Sequence, residues 1–233
     1  MKWPAFIRGT LLKRYKRFLA DVRLADGSVA TVHCPNSGSM LQCREEGRAV
    51  LLSRSENPAR KYPLTWELIR NDRSWIVVNT NRANQVAHEA LMASSFPPLS
   101  GLRDVRAEVP YGASRADFMG LDPAGKRTWI EVKSVSLLDT DGHYSFPDAV
   151  TLRGQKHLEE LMRVVREGER GVLWFILMRC DGHGFRPADS IDPVYAALCA
   201  EALRAGVEIH AGRCRIDERE IALDGVEHPL LIR

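Results

Sequence analysis

The sequence predicts a two-domain α+β or α/β protein: a small basic β-barrel over residues 1–80, then a mixed central sheet flanked by helices over residues 81–233. Three observations lead there. From Phe6 to Val78, short β-prone runs follow one another between turn signals. Beyond Asn84, strand-like and helical runs alternate, and Gly171 to Met178 is a continuous apolar run suited to a strand buried on both faces. Charge divides along the same line, with 15 Lys and Arg against 7 Asp and Glu over residues 1–86, and 18 against 23 over residues 87–233. That split fits a phosphate-seeking front end and a back end supplying ligand carboxylates.

With 45% hydrophobic and 27% charged residues, the chain has enough apolar material for ordinary cores. No apolar run approaches the ~18 residues of a membrane span, and the start lacks a secretory pattern, so no membrane partner is expected. Five cysteines, odd in number and never closely paired, predict reduced thiols in a cytoplasm. No Cys or His spacing suggests zinc.

In the front end, Phe18, Ala20, Val22 and Leu24 alternate with Leu19, Asp21 and Arg23, Asp26-Gly27 turns, and Val29 to Val32 returns. Ala49 to Leu52, Trp66 to Ile69 and Trp75 to Val78 add three strands, and either an OB-type or an SH3-like barrel fits. Lys13, Arg14, Lys16 and Arg17 interleave with Tyr15 and Phe18, a composition that neutralises phosphates and offers rings to bases, although Phe18 is expected in the core. Arg60 and Lys61 extend this face. In Cys34-Pro35-Asn36-Ser37-Gly38-Ser39-Met40, small polar residues allow backbone N–H groups to gather around an oxyanion, with Asn36, Ser37 and Ser39 as contacts. A structural Asx or Ser turn explains the same letters.

The domain boundary is expected in the polar run Asn79 to Asn84. A helix follows over Arg82 to Ala93, with Val86, Glu89, Ala90 and Ala93 on one face, so Glu89 is expected among apolar residues beside a metal or a cation. Val105 to Pro110 opens the central sheet. Tyr144 to Arg153 reads as a loop containing Asp148, and Gln155 opens the next helix. At its start Arg153, Gln155, Lys156 and His157 gather where N–H groups favour anions, suiting a phosphate or an attacking water. The helix Pro193 to Ala205 lies between two parallel strands, the apolar run and Gly206 to His210. The path of residues 213–233 is not readable.

The candidate chemistry lies in Ser114 to Leu137. Asp122-Pro123-Ala124-Gly125 marks a hairpin, and Glu131 and Lys133, two apart on its second strand, leave one face while Val132 points to the core. With a five-residue connection, Asp122 to Lys126, Leu121 pairs with Arg127 and Asp117 comes opposite Glu131. A four-residue connection would send Asp117 to the other face. Two facing carboxylates need a cation between them, and hard oxygen ligands suit Mg²⁺ or Mn²⁺. Val132 can add its carbonyl, and the ammonium of Lys133 can activate water.

The acid, acid and lysine set resembles the core of PD-(D/E)XK nucleases, in which an Asp and a Glu bind metal and the Lys works on water; Ala116 stands where the Pro of that motif would be. With the Cys34–Met40 run (Ser37 replacing a usual Thr), FPDAVTLRG and KHLEEL, the chain from Ile7 to Ala211 closely resembles the sugar fermentation stimulation protein family of bacteria and archaea. The resemblance implies an OB-like barrel followed by a PD-(D/E)XK-type domain, with Glu89 as a third carboxylate. It also implies binding of DNA without sequence preference and an influence on maltose metabolism. Asp117, Glu131 and Lys133 would then form a metal-dependent nuclease site assisted by Glu89 and Gln155. The alternative is a non-catalytic DNA-binding regulator of sugar metabolism with a nuclease-like core. Whether RNA replaces DNA, and whether the protein is a homodimer, stay open.

Overall fold

A computed structural model describes residues 1–112 and 114–232. The first six strands are β1 (Ile7–Tyr15), β2 (Leu19–Leu24), β3 (Val29–His33), β4 (Ala49–Arg54), β5 (Leu64–Arg70) and β6 (Trp75–Val77). They lie in the order β3-β2-β1-β4-β5-β6, and a β3–β5 pairing closes the first five into a barrel. Closure removes the sheet edges that a small all-β unit would otherwise expose. Alternation fills the barrel from one face of each strand: Leu11, Ala20, Val22, Val32, Leu52 and Trp66 are buried inside. Phe18 differs from its expected place. It stands in the β1–β2 turn, where Lys16 and Arg17 take left-handed backbone (φ 47° and 63°), and is 46% exposed.

The helix α1 (Asn81–Met92) and a 3₁₀ turn (Pro97–Leu99) follow, then β7 (Arg103–Tyr111), β8 (Ser114–Leu121), β9 (Arg127–Val135), β10 (Leu137–Leu138), β11 (Tyr144–Phe146), α2 (Leu152–Arg166), β12 (Arg170–Leu177), β13 (Phe185–Pro187), α3 (Pro193–Arg204), β14 (Glu208–Ile216) and β15 (Ile221–Glu227). The central sheet runs β15-β14-β12-β9-β8-β7, with β12 parallel to both β9 and β14 and the remaining pairs antiparallel. A small sheet, β10-β11-β13, stands beside it. The helix expected over Arg82 to Ala93 begins at Asn81, so the second half of the polar run Asn79 to Asn84 is the first turn of α1. The supposed loop Tyr144–Arg153 contains β11, and α2 begins at Leu152 because Thr151 caps it, its hydroxyl accepting from Gly154 N at 3.0 Å. Residues 208–227 form the β14–β15 hairpin.

Two cores cover the faces of the central sheet. One packs Val86, Ala87, Ala90 and Leu91 of α1 on Ile130, Val132, Trp174 and Ile176. The other packs Leu158, Leu161 and Met162 of α2 on Leu173, Phe175 and Leu177. The first also takes in Leu51, Leu68, Trp75 and Val77 from the outer face of the barrel, and Val77 N donates to Met178 O at 3.0 Å. The barrel is therefore docked on the sheet through shared apolar surface. Among the described residues, no helix is long and apolar enough to cross a membrane.

Candidate active site

The hairpin β8–β9 has the register expected of the five-residue connection: Leu121 pairs with Arg127, and the ladder runs on to Phe118–Ile130. There it stops. Asp117 does not continue it; its carboxylate instead takes the place of the next rung, Oδ2 accepting from Val132 N at 2.8 Å. Oδ1 accepts from Asn84 Nδ2 of α1 at 2.8 Å. Where the strands part, a cleft of about 520 Å³ opens between barrel and sheet, and Asp117, Glu131, Val132 and Lys133 all line it.

Glu131 is 7% exposed. Its Oε1 accepts from Lys133 Nζ at 2.6 Å and lies in close contact with His157 Nδ1. His157 Nδ1 also lies 3.0 Å from Lys133 Nζ, and Arg153 Nε donates to His157 Nε2 at 3.4 Å. Burial pushes the Glu131 carboxyl up, but His157 and Lys133 together more than offset it and hold it below the usual carboxylate range. Asp117 goes the other way: burial and then the Glu131 charge raise it, against the Val132, Asn84 and Lys133 contributions. Opposite shifts on adjacent carboxylates are a mark of functional sites.

The other expected residues divide. Arg17, Asn36 and Ser37 of the barrel and Arg153 of α2 line the cleft with the acids. Arg14 does not present its charge: Nη2 donates to the carbonyls of Arg17, Asn36 and Gly38 at 2.8, 2.9 and 3.0 Å, pinning the loop. The loop turns one backbone N–H and one hydroxyl to Asp148. Met40 N donates to Asp148 Oδ2 at 2.9 Å, and Ser39 Oγ to Asp148 O at 2.6 Å. Asn36 is buried and makes an Asx turn with Gly38 N at 2.9 Å. Lys13 stands 3.6 Å from Asp21, Arg60 bonds His33, and Lys61 lies over Tyr62; these three and the exposed Lys16 are off the cleft wall.

Three residues expected at the site from the helices lie apart from the acids. Glu89 is exposed and pairs with the Met1 ammonium at 2.5 Å, because the buried stripe of α1 is Ala83, Val86, Ala87, Ala90 and Leu91, which leaves Glu89 at its edge. The α1 residue that reaches Asp117 is Asn84. Gln155 points away and donates to both oxygens of buried Asp192, at 3.0 and 3.1 Å. Lys156 is exposed and 3.8 Å from Glu160. The neighbour that does reach the acids, His157, shares the buried face of α2 with Leu161 and Val164, and that spacing was its signal in the sequence.

Away from the cleft, the ligand atoms of Asp139, Asp141 and His143 lie within 4.8 Å of one another, an arrangement able to hold a divalent cation and the one such trio among the described residues. Arg186 already pairs with both carboxylates there, so a cation would have to displace it.

A closed OB-like barrel followed by a mixed sheet with an Asp on one strand and a Glu-x-Lys on the next defines the class: OB-like plus PD-(D/E)XK-like architecture. Residues 12–78 match the family model described as the SfsA N-terminal OB domain, and residues 81–220 that of the sugar fermentation stimulation protein RE domain. The chain belongs to the sugar fermentation stimulation protein family. A sugar fermentation stimulation protein homolog of Pelobacter propionicus is 53% identical over 224 residues, covering 96% of each chain. One of Geobacter sulfurreducens is 50% identical over 216 residues, covering 92% of each. The structure of Pyrococcus furiosus SfsA in complex with Ca²⁺ superposes with a TM-score of 0.91 at 26% identity, covering 100% of this chain and 98% of that one.

Proposed function

We propose that the chain binds nucleic acid, DNA in the first instance, along the cleft between barrel and sheet and hydrolyses phosphodiester bonds there with Mg²⁺ or Mn²⁺. One observation carries the reading: Asp117, Glu131 and Lys133 share a cleft whose far wall is the cationic Arg17 hairpin of the barrel. The donor set fits a hard cation: Glu131 is buried, Asp117 is half-buried, burial and then the Glu131 charge raise Asp117, and the single ammonium of Lys133 pairs with Glu131, leaving the two carboxylates one positive charge short. Asp117 and Glu131 would hold it, with the Val132 carbonyl as a third oxygen. Bound there, the cation supplies Lewis acidity toward a phosphoryl oxygen. The relative from Pyrococcus furiosus, solved with Ca²⁺, supports an oxygen-ligand site.

The side chains have separable tasks in this reading. Arg17 and Arg153 draw the phosphate backbone into the cleft. His157 fixes the Glu131 carboxylate, and Lys133, 2.6 Å from the same oxygen, orients water and offsets charge on the phosphorus-bound oxygens. The division into residues 1–80 and 81–233 belongs to the same proposal, the first part providing cations and the second carboxylates.

A second reading, a binding module without hydrolysis, is favoured by the Lys133 ammonium, which pairs with Glu131 at 2.6 Å and balances that one charge without a metal ion. Incubation of the protein with single- and double-stranded DNA and RNA and Mg²⁺ or Mn²⁺, beside Asp117→Ala and Lys133→Ala, separates the two. Products lost in both variants support the enzyme. Salt-sensitive binding kept by both, without products, supports the module.

A further inference from the structure

A second cleft, also about 520 Å³, adjoins the first, and the two meet at the Asn84–Asp117 pair, which lines both. The chemistry above makes no use of it. His88 and Glu89 of α1, Glu108 of β7 and Phe118 of β8 are among its other lining residues. Phe118 is buried, and His88 lies over it nearly parallel, with ring centroids 5.8 Å and planes 21° apart. The inner face of the imidazole is thereby taken, while the residue as a whole is exposed, so the outer face is free for another flat ring.

Charge decides which part of a nucleic acid fits. Glu89 and Glu108 are exposed carboxylates on this cleft. Of its cations, the Met1 ammonium is matched by Glu89. Arg82 donates to both oxygens of buried Glu67, at 2.9 and 2.6 Å, and to Gln85 at 2.7 Å. Glu108 stands 3.9 Å from Arg115, which is off the cleft wall. A phosphate here would meet acids and, among the described lining residues, cations already paired, whereas Arg17 and Arg153 stand in the first cleft. A nucleobase is planar and uncharged, and its amino groups can donate to carboxylates.

We infer that the second cleft is a nucleobase subsite, in which an unpaired base adjoining the phosphate at Asp117 and Glu131 stacks on His88, backed by Phe118. The inference rests on the first cleft taking the phosphodiester strand. It makes the preferred substrate one with an unstacked base at that position, because a base inside a duplex has both faces covered.

The test is binding of short single-stranded DNA carrying 2-aminopurine at one position at a time, with Ca²⁺ present, to the wild type, His88→Ala and His88→Phe. The expected result is fluorescence quenching confined to one or two adjacent positions, with affinity about tenfold lower and the quench lost in His88→Ala. His88→Phe, which keeps a stacking face, should restore both. Binding with no position-dependent quench, or a quench unchanged in His88→Ala, overturns the subsite while leaving the first cleft's role intact. Failure to bind any oligonucleotide overturns both. Quenching without any hydrolysis in Mg²⁺ or Mn²⁺ sustains the subsite and overturns only the enzymatic reading.

Discussion

Asn84 Nδ2 of α1 and Val132 N of β9 each stand 2.8 Å from an oxygen of Asp117, so this half-buried carboxylate is held by two neutral donors beside a second acid. Its folded pKa is raised, first by burial and then by Glu131. A raised carboxylate gives stability that is complete below its unfolded value and lost as pH rises through the folded one. Asp117→Asn should therefore melt higher than wild type at pH 7.5, by about 2–4 °C, with the difference shrinking toward pH 4. Scanning calorimetry at both pH values checks this; a lower Tm at pH 7.5 contradicts it.

Gly38 touches the site through shape. A Cβ built there would fall 2.4 Å from a carboxylate oxygen of Asp148, the anion that Met40 N grips. Gly38→Ala should cost about 1–3 kcal/mol, and Asp148→Asn in the same background should recover little, since the clash is steric. Urea unfolding measures both.

Among the barrel cations singled out in the sequence, Arg17 alone lines the cleft. Arg17→Glu should weaken DNA binding and lower the salt dependence of log affinity by about one unit of slope, while Lys13→Glu and Lys61→Glu change it little. Titrations at three salt concentrations distinguish them. Equal losses in all three variants would point to a diffuse basic face instead.

Barrel and sheet are also joined by a buried ion pair. Arg179 donates to Asp181 at 2.7 and 2.8 Å and to Gln42 Oε1 of the barrel at 2.8 Å, and Asn71 of the barrel donates to Asp181 at 2.8 Å. Burial raises the Asp181 carboxyl, but Arg179 and Asn71 more than offset it, leaving it well below the usual range. A lowered carboxylate gives stability present above its unfolded value and lost as pH falls through the folded one. Asp181→Asn should cost about 2–3 kcal/mol at neutral pH, the deficit narrowing below pH 4. Thermal unfolding of the two proteins across that range checks the sign.

How much of this was legible in the sequence depends on the range of the cause. The hairpin register follows from the local turn Asp122 to Lys126, so Leu121–Arg127 could be read directly. The departure of Asp117 from the ladder could not, because the competing donor, Asn84, lies 33 positions away on another element. Glu89 is exposed rather than among apolar residues for a geometric reason: Ala87 and Leu91 move the centre of the buried stripe round the helix, away from it. The Cys34–Met40 run showed its capacity to bind an anion, but nothing local told that the anion is the chain's own Asp148. Arg14 reads as surface charge in a basic run, and only the folded loop shows the three carbonyls it serves.

The most direct test of the central claim is a Mn²⁺ titration followed by electron paramagnetic resonance on wild type, Asp117→Asn and Asp141→Asn. Asp117 and Glu131 as the cation site predict that Asp117→Asn loses the tight ion and Asp141→Asn keeps it. Retention in Asp117→Asn with loss in Asp141→Asn would move the ion to the Asp139–His143 turn and contradict the account.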